Sequence, residues 1–219
     1  MLAWLRKKPV LYDEVKRFNS IATPDLNTLA RSGRYLAIDL ETTGLHARQD
    51  HIVSIGWVPI VEQQVQLSQA RHFLIKPPVS VGQSAIYHGV HDKDLKDASE
   101  LSEVLQLMLQ EFSGYYFIAH HCRLDRAFLE LAFQRYFGKV PKMHFIDTLN
   151  IEWYRMQKQG IVMKKDALRL PNCLARYKLP VSAQHHALED AYGCALLYLA
   201  QLKKSSADIT LADMLLQSR

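Results

Sequence analysis

Apolar residues recur along this chain with two periods, and the period changes near residue 99. Before that point, alternating or continuous apolar runs over 35–40, 52–59, 61–67 and 72–75 predict four strands. Strands that follow one another this closely favour antiparallel pairing. From residue 101 to 112 the apolar residues follow helical spacing, which predicts an amphipathic helix that Gly114 is placed to end.

The rest of the chain alternates between the two kinds of element. The pattern predicts further strands over 115–119 and 143–146, and helices over 123–137, 149–156, 172–177 and 187–202. A run of strands followed by strand and helix alternation indicates a mixed sheet flanked by helices. The chain therefore belongs to the α/β fold class.

Two breaks in the pattern divide the chain into three segments. Residues 1–33 carry apolar residues at near-helical spacing and then reach Pro24 and Gly33, which predicts an N-terminal helical extension. The main domain is expected over 34–204. Residues 205–219 are expected to form a short C-terminal helix or tail.

Composition limits the classes of protein that this chain can be. Its 219 residues are 48% hydrophobic and 22% charged, which excludes a disordered or low-complexity chain. Its longest apolar run, 52–61, contains Gly56 and Pro59 and is too short to cross a bilayer, so no membrane-spanning segment is expected. The net charge of +5 mildly favours a polyanionic partner. Three cysteines without a CxxC pair favour a reducing compartment, and we expect a cytoplasmic location.

Two carboxylates share one face of the first strand. Asp39 and Glu41 alternate with Leu36, Ile38 and Leu40, so both acids point to the same side. Their α-carbons are about 6.6 Å apart on an extended strand, and the side chains can converge on one point. Such close carboxylates are tolerable when cations lie between them. A solvent-facing strand end, closed by a Thr-Thr-Gly turn, explains the same residues about equally well.

A second polar group follows the strand predicted at 115–119. It runs from His120 to Asp125, with Asp125 in the first turn of the next helix. Ligands of open α/β sheets commonly bind beyond the carboxyl ends of strands. The plainer explanation is that Asp125 only favours the helix dipole. A zinc site made of His120, His121 and Cys122 is disfavoured, because three adjacent residues cannot easily surround a tetrahedral ion.

A third polar group, from His185 to Asp190, runs into the last long helix. Five helical positions are about 140° apart around the axis, so these two residues cannot share a helix face. His185 must lie in the preceding loop if it is to meet Asp190. Alternatively, His185 and His186 are exposed loop residues and Asp190 lies on a solvated face.

Taken in order, Asp39-x-Glu41, Asp125 and His185-x4-Asp190 resemble the motifs of the DEDDh 3′–5′ exonucleases, the DnaQ-like group. The resemblance covers roughly residues 34–202. Supporting matches are the Ile-Tyr-His-Gly-Val segment at 86–90 followed by Asp92, the Phe-Ile-Asp-Thr-Leu segment at 145–149, and residues 174–177. The joint occurrence of these motifs in this order is more specific than any one of them.

The resemblance implies a fold and a metal centre. The fold would be RNase H-like, a mixed sheet of five or six strands with helices on both faces. Two divalent ions, Mg²⁺ or Mn²⁺, would be held by four carboxylates, those of Asp39, Glu41, Asp125 and Asp190. Hard oxygen ligands suit these ions, and a pair of them can activate water and stabilise the leaving 3′-oxygen.

The resemblance also implies roles in proton transfer and in substrate binding. His185 would be the general base, because a histidine can take a proton from water near neutral pH. Thr42, Leu45 and His88 would contact the terminal nucleotides. His121 stands where the family usually has Asn, and we expect this difference to change how the substrate strand is bound.

The activity expected from these motifs is release of nucleoside 5′-monophosphates from single-stranded DNA or frayed DNA 3′ ends. An RNA-trimming enzyme of the same fold, similar to ribonuclease T or oligoribonuclease, remains an alternative. A further alternative is a catalytically weak module that binds nucleic acid, or that docks on a protein partner through residues 1–33.

Overall fold

A computed structural model describes residues 8–182 and 186–219 and shows a six-stranded mixed sheet with helices on both faces. This confirms the predicted fold class. The strands are β1 (Tyr35–Thr42), β2 (Ile52–Val61), β3 (Gln64–Val65), β4 (Arg71–Leu74), β5 (Tyr116–Ala119) and β6 (Phe145–Asp147). The helices are α1 (Lys8–Ser20), α2 (Ala85–His88), α3 (Leu101–Glu111), α4 (Arg123–Phe137), α5 (Thr148–Lys158), α6 (Leu170–Arg176), α7 (Ala187–Lys203) and α8 (Leu211–Gln217).

The sheet combines an antiparallel half with a parallel half, and β1 joins them. The strand order is β3-β2-β1-β5-β6, and β4 also pairs with β2. β2 pairs antiparallel with β1, β3 and β4, whereas β1, β5 and β6 run parallel. The carboxyl ends of β1, β5 and β6 therefore meet at one edge of the sheet.

The alternation of residues along β1 divides the core into two layers. Leu36, Ile38 and Leu40 pack toward α1, α3 and α4. Tyr35 and Ala37 point the other way, toward α5, α7 and α8. The two acidic positions of β1 continue this second set and therefore lie on the face that α7 covers.

Gly56 allows α7 to approach the sheet closely. It lies opposite Asp39 in the β1–β2 pairing. A Cβ atom at Gly56 would stand 2.3 Å from the carbonyl carbon of Ala187 and 2.3 Å from the amide nitrogen of Leu188. The first turn of α7 thus rests on the backbone of β2, and this contact brings Asp190 to the carboxyl half of β1.

Most predicted elements are confirmed within two residues at each end. The strand predicted at 61–67 was wrong in extent. Glu62 and Gln63 have φ values of 50° and 60°, so the chain turns back in a two-residue hairpin and β3 is only two residues long. The pattern also failed to predict α2, whose four residues are too few to show a helical period.

Helix α1 packs directly on the main domain. Its residues Val15 and Phe18 are buried in the same layer as α3 and α4. Further along, the amide groups of Leu211 and Ala212 donate to the carbonyl oxygens of Thr28 and Leu26, which ties the segment before β1 to α8. Residues 1–7 of the predicted extension lie outside the described residues. No helix in the described part of the chain is long and apolar enough to cross a membrane.

Candidate active site

Three carboxylates converge beside the edge where the parallel strands end. Asp39 and Glu41 come from β1, and Asp190 comes from the first turn of α7. One oxygen of each lies within 4.8 Å of the others, and all three residues are half-buried. The sequence prediction that the two β1 acids share a face with each other is confirmed, and α7 supplies the third acid.

The electrostatics of this cluster favour a bound cation. Burial, followed by the charges of Asp125, Glu41 and Asp190, holds the pKa of Asp39 well above its usual range. Burial and then the charge of Asp190 raise the pKa of Glu41 to about 7. Carboxylate oxygens placed this close together are the ligands that Mg²⁺ and Mn²⁺ prefer. The donor set therefore fits the divalent ions expected for it.

Asp125 lies next to this cluster but does not share its tightest contacts. It is buried in the first turn of α4, and its Oδ1 accepts a hydrogen bond of 3.2 Å from the amide group of Leu40. Burial is the largest cause that raises the pKa of Asp125 to about 7. The bond to Leu40 fixes the start of α4 against the carboxyl half of β1, so the fourth predicted carboxylate is held near the same edge.

Asp147, at the end of β6, was not predicted as a site residue. Its carboxylate accepts hydrogen bonds of 2.9 Å from the amide groups of His121, Cys122 and Leu149. His121 has a φ of 68°, which is uncommon for a residue other than glycine. Asp147 thus holds the strained turn that leads into α4, and it also caps α5. The sequence signal was an Asp-Thr pair after a strand, which is typical of a helix N-cap.

His72 and His186, two histidines for which the sequence predicted no role, contact each other close to the strand pair that carries Glu41. Ser54 is opposite Glu41 in the β1–β2 register, and its hydroxyl is 2.7 Å from Nε2 of His72. The rings of His72 and His186 are 4.3 Å apart. Burial, and then His186, lower the pKa of His72 to about 4. His186 is therefore packed against β4 immediately before α7, and is not the freely exposed loop residue of the alternative reading.

The structure describes only some of the residues that were predicted to act on the substrate. His185 lies outside the described residues. Thr42 donates its hydroxyl to the carbonyl oxygen of Gly44, and Leu45 is 73% exposed in the turn that follows β1. His121 is exposed and lines the same cavity as two of the carboxylates, as described below.

His88, the last residue of α2, is buried and contacts groups of its own segment. It is 6% exposed, and its ring nitrogens contact the hydroxyl of Ser84 and the amide group of Val90. Burial also lowers its pKa. The predicted contact of His88 with a nucleotide therefore stays a prediction.

A cavity of about 730 Å³ opens at the acidic cluster. Asp39 and Asp190 form one side, and His120 and His121 line it after β5. Most residues between 163 and 171, which connect α5 to α6 and begin α6, also line the cavity. The volume lies within the range of about 300–1,000 Å³ that is common for ligand pockets.

Comparison with known proteins identifies the family of this domain. The model of the RNase T family, described as "Exonuclease", matches residues 36–198. A PolC-type DNA polymerase III of Thermotoga petrophila is 28% identical over 166 residues, which is 75% of this chain and 12% of the polymerase. The 3′-5′ exonuclease DinG of Staphylococcus haemolyticus is 26% identical over 172 residues, 78% of this chain and 18% of that protein. The chain thus spans less than a fifth of the length of these relatives.

Solved structures share the fold. Exonuclease I of E. coli in complex with a dT13 oligonucleotide superimposes with a TM-score of 0.64 and 18% identity, covering 79% of this chain and 41% of that one. Exonuclease X in complex with 5′ overhanging duplex DNA has a TM-score of 0.62 and 19% identity, covering 84% of this chain and 99% of that one.

Proposed function

The chain belongs to the RNase T family of exonucleases, the DnaQ-like group whose motifs it carries, and from this we propose that it is a metal-dependent 3′–5′ exonuclease. Its substrate would be single-stranded DNA or frayed DNA 3′ ends, and its products nucleoside 5′-monophosphates. The observation that supports this most is the convergence of Asp39, Glu41 and Asp190 within 4.8 Å, with Asp39 and Asp190 lining a cavity.

The proposed metal ligands are Asp39, Glu41, Asp125 and Asp190. Two divalent ions bound there, Mg²⁺ or Mn²⁺, would supply an activated water and charge stabilisation for the leaving 3′-oxygen. The carboxylates contribute by their arrangement: β1 fixes two of them on one strand face, and the bond from Leu40 to Asp125 holds the third beside it. Gly56 lets α7 carry the fourth.

The remaining roles concern the proton and the substrate. His185 would take the proton of the attacking water, since it precedes the helix that carries Asp190. Thr42 would offer its main-chain N–H to the terminal ribose, and the exposed Leu45 would separate the last two bases as an apolar wedge. His121 would contact the strand from the cavity wall. His88, at the end of α2, is the further residue proposed to contact the terminal nucleotides.

The His185 role has a direct test. His185→Ala should lower turnover by about 10²–10⁴-fold, the usual contribution of a positioned base. Mn²⁺ affinity, measured by titration calorimetry, should change little. An equal loss of Mn²⁺ affinity would instead make His185 a metal ligand and remove it from the base role.

The substrate is tested with matched oligonucleotides. A labelled DNA strand, the same strand annealed to its complement, and a closed single-stranded circle are incubated with Mn²⁺, and products are resolved by chromatography. We expect fastest loss of the free strand, slower loss of the paired end because unstacking costs a few kcal/mol, and survival of the circle. Cutting of the circle would contradict exonuclease action. A matching RNA strand that is degraded faster than the DNA would make the enzyme an RNA-trimming nuclease.

A further inference from the structure

The connection between α5 and α6 lines the candidate active-site cavity and carries potential binding groups of its own. We call residues 163–169 the α5–α6 wall. Met163, Lys164, Leu168 and Arg169 of this wall line the same cavity as Asp39 and Asp190. Among the described residues that line the cavity, the lysine and arginine side chains are those of Lys164 and Arg169, and both belong to this wall.

The wall is held in place although it belongs to a connection between helices. Three consecutive carbonyl oxygens, those of residues 166 to 168, each accept a hydrogen bond from a different side chain. The donors are Nδ2 of Asn172 at 2.9 Å, Nη2 of Arg176 at 2.8 Å, and Nε2 of His120 at 2.7 Å, in that order. Such anchoring reduces the ordering cost of binding a ligand, which is how preorganised sites gain affinity.

Two of these anchors are themselves fixed in the core. Arg176 forms an ion pair of 2.8 Å with Glu152, whose side chain is buried. The other ring nitrogen of His120 lies 2.9 Å from the hydroxyl of Thr148, which is fully buried. A carbonyl oxygen can only accept, so the His120 ring carries its proton on Nε2. The wall therefore has a defined position relative to β5, α5 and the metal-binding carboxylates.

The cations of the wall are free to exchange partners. Lys164 is exposed, and Arg169 is paired with Asp166 at 3.0 Å through a side chain that is 73% exposed. An exposed pair of this kind is worth only about 0–1 kcal/mol, so a phosphate can replace Asp166. Leu149, Met163 and Leu168 add apolar surface to the lining of the same cavity, and apolar side chains can pack against an unstacked base.

We propose that the α5–α6 wall binds the substrate strand, with Lys164 and Arg169 contacting its phosphodiester groups. The inference rests on the proposed function, because a strand whose phosphate reaches Asp39 and Asp190 continues covalently into this cavity. It adds residues that the family motifs do not include. It also places phosphate contacts on a protein whose net charge is only +5.

The test measures binding and does not depend on cleavage. A fluorescein-labelled dT15 with phosphorothioate linkages is titrated in Ca²⁺ at 50–300 mM KCl, and anisotropy gives the slope of log affinity against log salt. Lys164→Gln and Arg169→Gln should each reduce this slope by about 0.7, and the double variant by about 1.4, since each removes one contact with a single strand. Arg169→Lys should keep the wild-type slope, because it keeps the charge.

Lys203→Gln is the matched control. It removes the same charge from an exposed position of α7 that lies 13 residues beyond Asp190 and outside the cavity lining. That separation is about 20 Å along the helix. We expect its slope to equal that of the wild type.

A double variant whose slope equals that of Lys203→Gln, with a native circular dichroism spectrum, would overturn the inference. Nuclease assays of the wild type are read separately. Absence of nuclease activity would overturn the proposed function and leave the slope comparison to decide the role of the wall.

Discussion

At the scale of single residues, the clustered carboxylates of the candidate site repel one another, and a bound cation would relieve this repulsion. Asp39 has three carboxylates near enough to raise its pKa, and two of them share its tight cluster. Without a cation, these groups weaken the folded state at neutral pH. A bound cation would therefore recover stability that the arrangement of the carboxylates costs.

The first prediction concerns Asp39→Asn. Without metal, the variant should melt about 2–4 °C higher than the wild type, which corresponds to roughly 1 kcal/mol for a chain of this size. Added Mn²⁺ should raise the melting temperature of the wild type more than that of the variant, and turnover of the variant should fall at least about 100-fold. Differential scanning fluorimetry with and without Mn²⁺ measures both shifts. Asp97→Asn, at an exposed position, is the control and should change neither quantity.

His72 gives a prediction for pH. Its folded pKa of about 4 lies below the ordinary value of about 6.5, so the unfolded chain takes up the proton first on acidification. The stability that neutral His72 provides is thus complete above pH 6.5 and is lost progressively as the pH falls toward 4. Urea unfolding at several pH values should show wild type and His72→Asn converging in stability between pH 7 and 4.5. A constant gap would mean that the contact with Ser54 and His186 does not depend on His72 being neutral.

Residue spacing put Asp39 and Glu41 on one strand face, and the family resemblance implied the set of four carboxylates, but neither predicted the residues that support them. Asp39 and Glu41 could be placed on one face because side chains two positions apart on a strand point to the same side. Asp147 and His72 were missed because their partners are distant in sequence: His121 lies 26 residues before Asp147, and Ser54 lies 18 residues before His72. No local pattern encodes such contacts.

At the scale of elements, the docking of α7 on β2 decides whether the last carboxylate reaches the cluster. Gly56→Ala should force α7 outward, because its Cβ would lie 2.3 Å from backbone atoms that cannot rotate away. We expect a loss of about 1–3 kcal/mol in unfolding free energy, typical of overpacking. Turnover should drop at least about tenfold, since displacing groups by about 1 Å is enough to disturb catalysis.

Gly193→Ala, in the same helix, is the matched control for this change. Its Cβ would first meet Cδ1 of Leu174 at 3.1 Å, the far end of a flexible side chain. Alanine is also favoured over glycine within a helix by about 1 kcal/mol. The control should therefore be neutral or slightly stabilising, and equal effects of the two variants would contradict the docking argument.

Element boundaries were predictable where the periodic pattern was long. Helices α4 and α7 were predicted within one residue at each end because their buried stripes run for 15 and 17 residues. The hairpin at Glu62 and Gln63 was missed because neither residue is one that usually takes a positive φ. The turn is set by the pairing of β2 with β3, and the residue types at positions 62 and 63 do not indicate that pairing.

At the scale of the whole molecule, α1 is part of the same core as the sheet. Phe18 is 3% exposed within the layer that also contains Trp57. Phe18→Ala should cost about 3–5 kcal/mol, the usual loss for a buried phenylalanine. Urea unfolding followed by tryptophan fluorescence and by circular dichroism should shift equally in the two signals, as expected for one cooperative unit.

Leu67→Ala serves as the comparison for that experiment. Leu67 is a large apolar residue that is 63% exposed, so its truncation should leave the unfolding midpoint nearly unchanged. Two separate transitions in Phe18→Ala would instead show that the N-terminal segment folds apart from the sheet.

The topology of the site also has a consequence for biosynthesis. Its carboxylates stand at positions 39, 41, 125 and 190, and the last of them depends on the contact of α7 with Gly56. At typical rates of synthesis of about 5–20 residues per second, roughly 8–30 s separate the appearance of Asp39 from that of Asp190. On the proposed function, a chain still on the ribosome holds an incomplete set of metal ligands throughout that interval. Nuclease activity would then begin only after the final long helix has folded into place.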